Sequence, residues 1–198
     1  MVGRLPLGRP CFLHAPQPGA LMAMNLQSDD FELLGVAKQF KQDAAELAQR
    51  WKSLQAQVHP DRFANASSAE KRMAMQWSVR ANEAYQRLKN PLSRASYLCE
   101  LHGLPIGAED NTAMPKQFLM QQMEWLEALD DAQTQGDVNS ITAEVQAELD
   151  KTIAATEQAL DEHQQYETAV EQIRSWMFLS RFMERVRARQ LQLPASRP

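Results

Sequence analysis

His59, Pro60 and Asp61 are consecutive and combine a ring that both donates and accepts, a residue without a backbone donor, and a carboxylate that only accepts. Pro60 fixes its own φ, so a loop built on it has little conformational freedom left to lose when a partner binds. Asp61 can take charge-assisted hydrogen bonds from a partner's arginine. This is chemistry for recognition, since no nucleophile accompanies it. The remaining titratable residues suggest no second centre. His14, His59, His102 and His163 never stand three or four apart, and Cys11 and Cys99 are far separated. A disulfide framework and a cysteine-built metal site are therefore not expected. Neither a nucleophile signature nor a glycine-rich phosphate loop is present, so the sequence argues against an enzyme and requires no cofactor.

A tripeptide acquires meaning only from the elements that hold it. Before it, from Asp43 onward, Ala44, Leu47, Ala48, Trp51, Leu54 and Val58 recur at helical spacing, and the helix must end near Val58 because Pro60 disfavours helical geometry at His59. After it, Ser67 and Glu70 have capping-box spacing and open a helix with apolar residues Met73, Trp77, Ala81, Ala84, Tyr85 and Leu88. Asn90 and Pro91 are expected to stop that helix, and a short one from about Ser93 to His102 to end at Gly103. Upstream, Ser28, Asp29 and Asp30 offer caps for a short helix with Phe31 and Leu34 that closes at Gly35. The tripeptide thus lies in the loop of a helical hairpin.

Composition supports an all-α chain. Of 198 residues only 7 are Gly, and the 44% that are hydrophobic are dominated by helix-favouring Ala, Leu and Met. No apolar run approaches the roughly 18 residues of a membrane span, so a cytoplasmic, membrane-free protein is expected. The net charge of −4 is uneven: residues 1–23 and 24–103 each carry +2, whereas 104–198 carry −8. An acidic region of this size would repel phosphate, which argues against a nucleic-acid partner.

Residues 1–23 hold four prolines, three glycines and no acid. They are expected to be a disordered extension, with a start assigned too early as one explanation and Met24 as the natural beginning of the folded part. Residues 104–115 have proline near each end and read as a linker. From Pro115 a helix with Phe118, Leu119, Met120, Met123, Leu126 and Leu129 is expected to run until Gly136. The seam Val138, Ile141, Val145, Leu149, Ile153 and Leu160 then marks a long helix, and Tyr166, Val170, Ile173 and Met177 the buried face of a last one from about Gln165 to Leu191, before a tail at 192–198. Three antiparallel helices joined by short loops make a bundle over 116–191. Both outer helices have more apolar residues than one stripe can bury, notably Trp176, Met177, Phe178 and Leu179, so part of that surface is expected to remain exposed for a partner.

Val58-His59-Pro60-Asp61-Arg62-Phe63 between two amphipathic helices, with Ala81-Asn82-Glu83-Ala84-Tyr85-Gln86-Arg87-Leu88 and Leu92-Ser93-Arg94-Ala95-Ser96-Tyr97-Leu98, resembles the J-domain of DnaJ-type co-chaperones. Tyr97-Leu98-Cys99-Glu100-Leu101-His102-Gly103 and Phe118-Leu119-Met120-Gln121-Gln122-Met123-Glu124 narrow the resemblance to the HscB-type co-chaperones of iron–sulfur cluster assembly, over nearly all of 24–191. The resemblance implies an N-terminal J-domain (24–103) and a C-terminal three-helix domain. It also implies stimulation of a DnaK-class chaperone ATPase (HscA-like) and delivery of the cluster scaffold (IscU-like) to it. A J-domain co-chaperone with another client remains the alternative. Carried over residue by residue, His59, Pro60, Asp61 and Arg62 with Arg50 and Lys52 would meet the chaperone, and Leu119, Met120, Met123 and Phe178 the scaffold. Two features depart from the family: Val58 replaces an aromatic before the histidine, and the second helix offers only Arg50 and Lys52 as cations, with Lys41 just before it and Arg62 in the loop. The single N-terminal cysteine excludes the zinc module of some eukaryotic relatives, so the chain looks like the bacterial type.

Overall fold

The computed structural model describes residues 25, 27–107 and 116–193; the expected extension at 1–23, the helix start at Pro115, most of the linker and the end of the tail lie outside them. The described residues form seven α-helices and no strand. Asp29 caps α1 (Asp30–Leu34) by accepting from the Glu32 amide, and Gly35 closes it at φ 64°, a left-handed geometry that costs glycine little. Asp43 caps α2 (Ala44–Val58) by accepting from the amides of Ala45 and Glu46. Pro60–Phe63 makes one turn of 3-10 helix. The capping box of Ser67 and Glu70 then opens α3 (Ser68–Lys89), and the bonds from Ser67 hold the Glu70 carboxyl below its ordinary pKa.

Two boundaries differ from the sequence reading, both because one residue type has two uses. Pro91 does not hold a gap before a helix at Ser93; it is the first residue of α4 (Pro91–Leu101), which Asn90 caps through the Ser93 amide. Proline suits that position because the amide it lacks would have had no helical partner. Likewise Gly136 ends nothing. The helix α5 (Lys116–Asp131) stops earlier, and Gly136 lies in the first turn of α6 (Gln135–Glu157), opened by a capping box of Thr134 and Asp137. A π-helical turn, Gln158–Glu162, extends α6. The Gln165 amide then donates to Ala159 O, with Gln164 at φ 52°, before α7 (Tyr166–Gln192) returns along the bundle.

Two apolar cores result, and they are not divided as two separate domains would be. The second lies inside the bundle among Trp125, Leu129, Val138, Ile141, Val145, Leu179, Phe182 and Val186. The first combines Phe31, Leu47, Val58, Trp77, Ala84, Leu88 and Leu98 of the N-terminal domain with Leu160, Val170, Ile173 and Trp176 of the bundle. Leu160 therefore does not end the bundle seam. Trp176 packs edge-on against Phe40 with ring centres 6.1 Å apart.

Polar bonds fix the same junction. The amides of Phe40 and Lys41 donate to the two oxygens of Asp161 at 2.6 and 2.8 Å, and Lys41 pairs with Glu157 at 3.1 Å. Buried Arg94 donates to Phe40 O at 2.6 Å and to Leu88 O. Desolvation lowers its pKa, and the nearby Asp161 charge works against that shift.

Candidate functional site

At the end of α2, His59 has φ −59° and ψ 128°, the extended geometry imposed on a residue before proline. Its Nδ1 accepts from the Asp61 amide at 3.3 Å, and the Asp61 carboxylate lies 3.6 Å from the same nitrogen. In the neutral ring that bond places the proton on Nε2, leaving a donor pointing away from the turn. The His59 and Asp61 side chains are 55% and 90% exposed. The turn therefore presents a donor and a carboxylate on a backbone held by its own bonds.

The four cations differ in how they are held. Arg62 donates to Ala56 O at 3.2 Å, which ties the turn to the last turn of α2. Arg50 pairs with Glu46 at 3.1 Å, one helical turn away. Lys41 reaches Glu157 of the bundle instead of the α2 face. Lys52 is exposed, and none of the ion pairs among the described residues includes it. Away from this face, Asp30 is fully buried and pairs with Arg80 at 2.6 Å and Arg87 at 3.0 Å, so two of the domain's cations serve its interior.

In the bundle, Met120 and Met123 are 64% and 61% exposed, while Leu119 and Leu126 are half-buried beside them. Phe178 is also half-buried, with its ring 5.9 Å from Phe118 and 6.0 Å from Phe182. Leu119, Met120, Met123 and Leu126 thus give α5 an apolar surface, and Phe178 meets that helix through Phe118. The excess on α7 has two outcomes: Trp176 and Met177 pack on the first core, Leu179 and Phe178 on the second. The expected exposure is thus found on α5 and largely absent from the Trp176–Leu179 run.

Comparison with known proteins agrees with this layout. The co-chaperone protein HscB homolog of Bordetella petrii is 46% identical over 167 residues, covering 81% of this chain and 95% of that protein. The chain belongs to the HscB family of co-chaperones. The HscB homolog of Azoarcus sp. strain BH72 is 40% identical over 83% of this chain. The family model of the HSCB C-terminal oligomerisation domain matches residues 114–187. Chaperone HscB from Vibrio cholerae superposes with a TM-score of 0.77 at 33% identity, over 83% of this chain and 99% of its own. The crystal structure of human co-chaperone protein HscB also gives 0.77, at 32% identity over 96% of each chain.

Within this HscB-type architecture, the residues that sequence reasoning missed are those that position the two surfaces relative to each other. Asp161 meets Phe40 across 121 positions of chain and Arg94 meets Phe40 across 54. His102 stacks on Tyr166 with ring centres 3.7 Å apart, and buried Cys99 lies 3.9 Å from Tyr166 O. Burial, helped by Glu100, pushes the Cys99 thiol up to about 11. The lone aromatic Phe40 in the proline-free stretch 36–43 was the available signal, and it identifies no partner by itself.

Proposed function

We propose that this protein stimulates ATP hydrolysis by a DnaK-class, HscA-like chaperone and delivers to it an IscU-like iron–sulfur cluster scaffold, acting in the cytoplasm as an adaptor and not as a catalyst. The exposed turn at His59, Pro60 and Asp61, with Arg62, Arg50 and Lys52, is the chaperone-facing surface. Leu119, Met120, Met123 and Phe178 are the scaffold-facing one. The observation that carries this reading is the presence, in one HscB-family chain, of a pre-set polar turn and a separate exposed methionine patch on domains joined through one core.

The turn acts only if the chaperone binds it differently in its two nucleotide states, because a ligand shifts an equilibrium by no more than its differential affinity. Recruitment through the patch raises the local concentration of scaffold at the chaperone without any new contact between those two partners. The test is steady-state ATPase of the chaperone with this protein, with scaffold, and with both. Stimulation by the pair well beyond the product of the separate effects is expected. Equal stimulation with and without scaffold would remove the delivery role, and no stimulation in either case the chaperone role.

A further inference from the structure

The apolar patch continues along α7 into charge of the opposite sign to its domain. Residues 181–189 hold four arginines against one glutamate, in a region 104–198 whose net charge is −8. Phe178, Arg181 and Arg185 follow one another by three and four, which at about 100° per residue puts them on one stripe about 60° wide. The contacts of α7 place that stripe beside α5: Phe178 meets Phe118, Phe182 meets Trp125, and Arg185 shares a groove of 310 Å³ with Leu129 and Asp130. Arg181 and Arg185 are exposed, and neither is in an ion pair within 4.0 Å among the described residues. Asp130 lines the same groove without closing such a pair. Two guanidiniums are thus available at the edge of an apolar surface, Arg185 in the groove that Asp130 of α5 also lines.

We infer that Arg181 and Arg185 form a cationic lane that takes an acidic segment of the scaffold protein, adjoining the apolar patch and fixing the direction in which the scaffold lies across α5 and α7. This rests on the reading of the patch as the scaffold site. Charge complementarity selects the occupant. A domain of net negative charge disfavours an acidic segment over most of its surface and accepts it where its own charge is reversed, so the lane orients the approach and disfavours the flipped pose. The planar guanidinium favours carboxylate partners, which it can grip with two parallel bonds.

The experiment titrates the cluster-free scaffold protein of the same organism against full-length Arg181→Glu/Arg185→Glu, Arg181→Gln/Arg185→Gln and Met120→Ser/Met123→Ser, with helicity as the folding control. Roughly tenfold weaker binding of the double glutamate and about threefold of the double glutamine are expected at low salt, with both gaps below about twofold in high salt. If both arginine variants bind like the parent at low salt while the methionine variant binds poorly, the lane is refuted and the patch stands. If the methionine variant binds like the parent, the patch reading itself fails. Changed self-association with unchanged scaffold affinity would overturn the lane as a scaffold contact.

Discussion

The turn at His59 and the patch on α5 are both exposed, yet their groups are differently occupied. In the turn, His59 Nδ1, the Asp61 amide and the Arg62 guanidinium are already bonded within the protein, and the free groups are few and directed. In the patch, Met120 and Met123 have no such anchoring and remain largely in water. The first surface starts with little entropy to lose and gains specificity from a donor and a carboxylate. The second gains from removing apolar area from water, with flexible side chains that adapt to what covers them. On the proposed reading, one suits a contact made and released with each nucleotide cycle, the other a client held throughout it.

That contrast is most easily broken at the turn. His59→Gln is expected to lower chaperone stimulation more than tenfold with an unchanged melting temperature, because a glutamine lacks the ring that caps the Asp61 amide and presents Nε2. Normal stimulation by the folded variant would remove the turn from the mechanism. Met120→Ser with Met123→Ser should weaken scaffold affinity about tenfold, as expected when two exposed apolar side chains no longer bury area on binding, while stimulation by the turn persists. Coupled loss of both activities would show that the two surfaces do not work independently.

Smaller effects probe what separates the surfaces. Asp161→Ala leaves the Phe40 and Lys41 amides without their acceptor and should cost about 1–3 kcal/mol in urea unfolding. Thr134→Ala removes a cap inside the bundle and should cost about 1 kcal/mol. The bonds from Thr134 and Gln133 hold the Asp137 carboxyl below its ordinary 3.8. Their contribution is therefore complete above that pH and is lost as pH falls through the lowered value, so the gap between Thr134→Ala and the parent should narrow in acid. The smallest change is a gain: Gln164 sits at φ 52°, and Gln164→Gly should stabilise by roughly 0.5–1 kcal/mol if relief of the left-handed backbone outweighs added freedom in the unfolded chain.

Local chemistry was legible in the sequence wherever a cap or a proline has one meaning. The apolar spacing that starts after Asp43, the Ser67 and Glu70 pair, and Pro60 located α2, the turn and the start of α3 within a residue or so, while the capping role of Asp43 emerged only from the structure. Pro91 and Gly136 misled because each also fits inside a first helical turn, and the Thr134 and Asp137 box, opening three residues past α5, was the better signal. The excess of apolar residues on α5 said only that some of them stay exposed; Met120 and Met123 were singled out by the family resemblance, and periodicity alone would have read each as core. The same excess in α7 had another cause, since Trp176 and Met177 pack toward the N-terminal domain, and no periodicity reports which of two neighbours a stripe faces. Arg94 and Asp161 were out of reach for a related reason: their partners are backbone groups of the Phe40 segment, distant in sequence, and backbone carries no sequence signal.

The helix α7 has 27 residues and so is about 40 Å long, with its first half set in one core and its second half in the other. It behaves as a lever mounted at both ends. On the proposed reading, the client-facing α5 edge and the chaperone-facing domain are then connected through packed side chains along one helix. If both partners bind where proposed, the span between them is measured out by this helix, so that shortening or lengthening α7 would change the distance at which a client is offered.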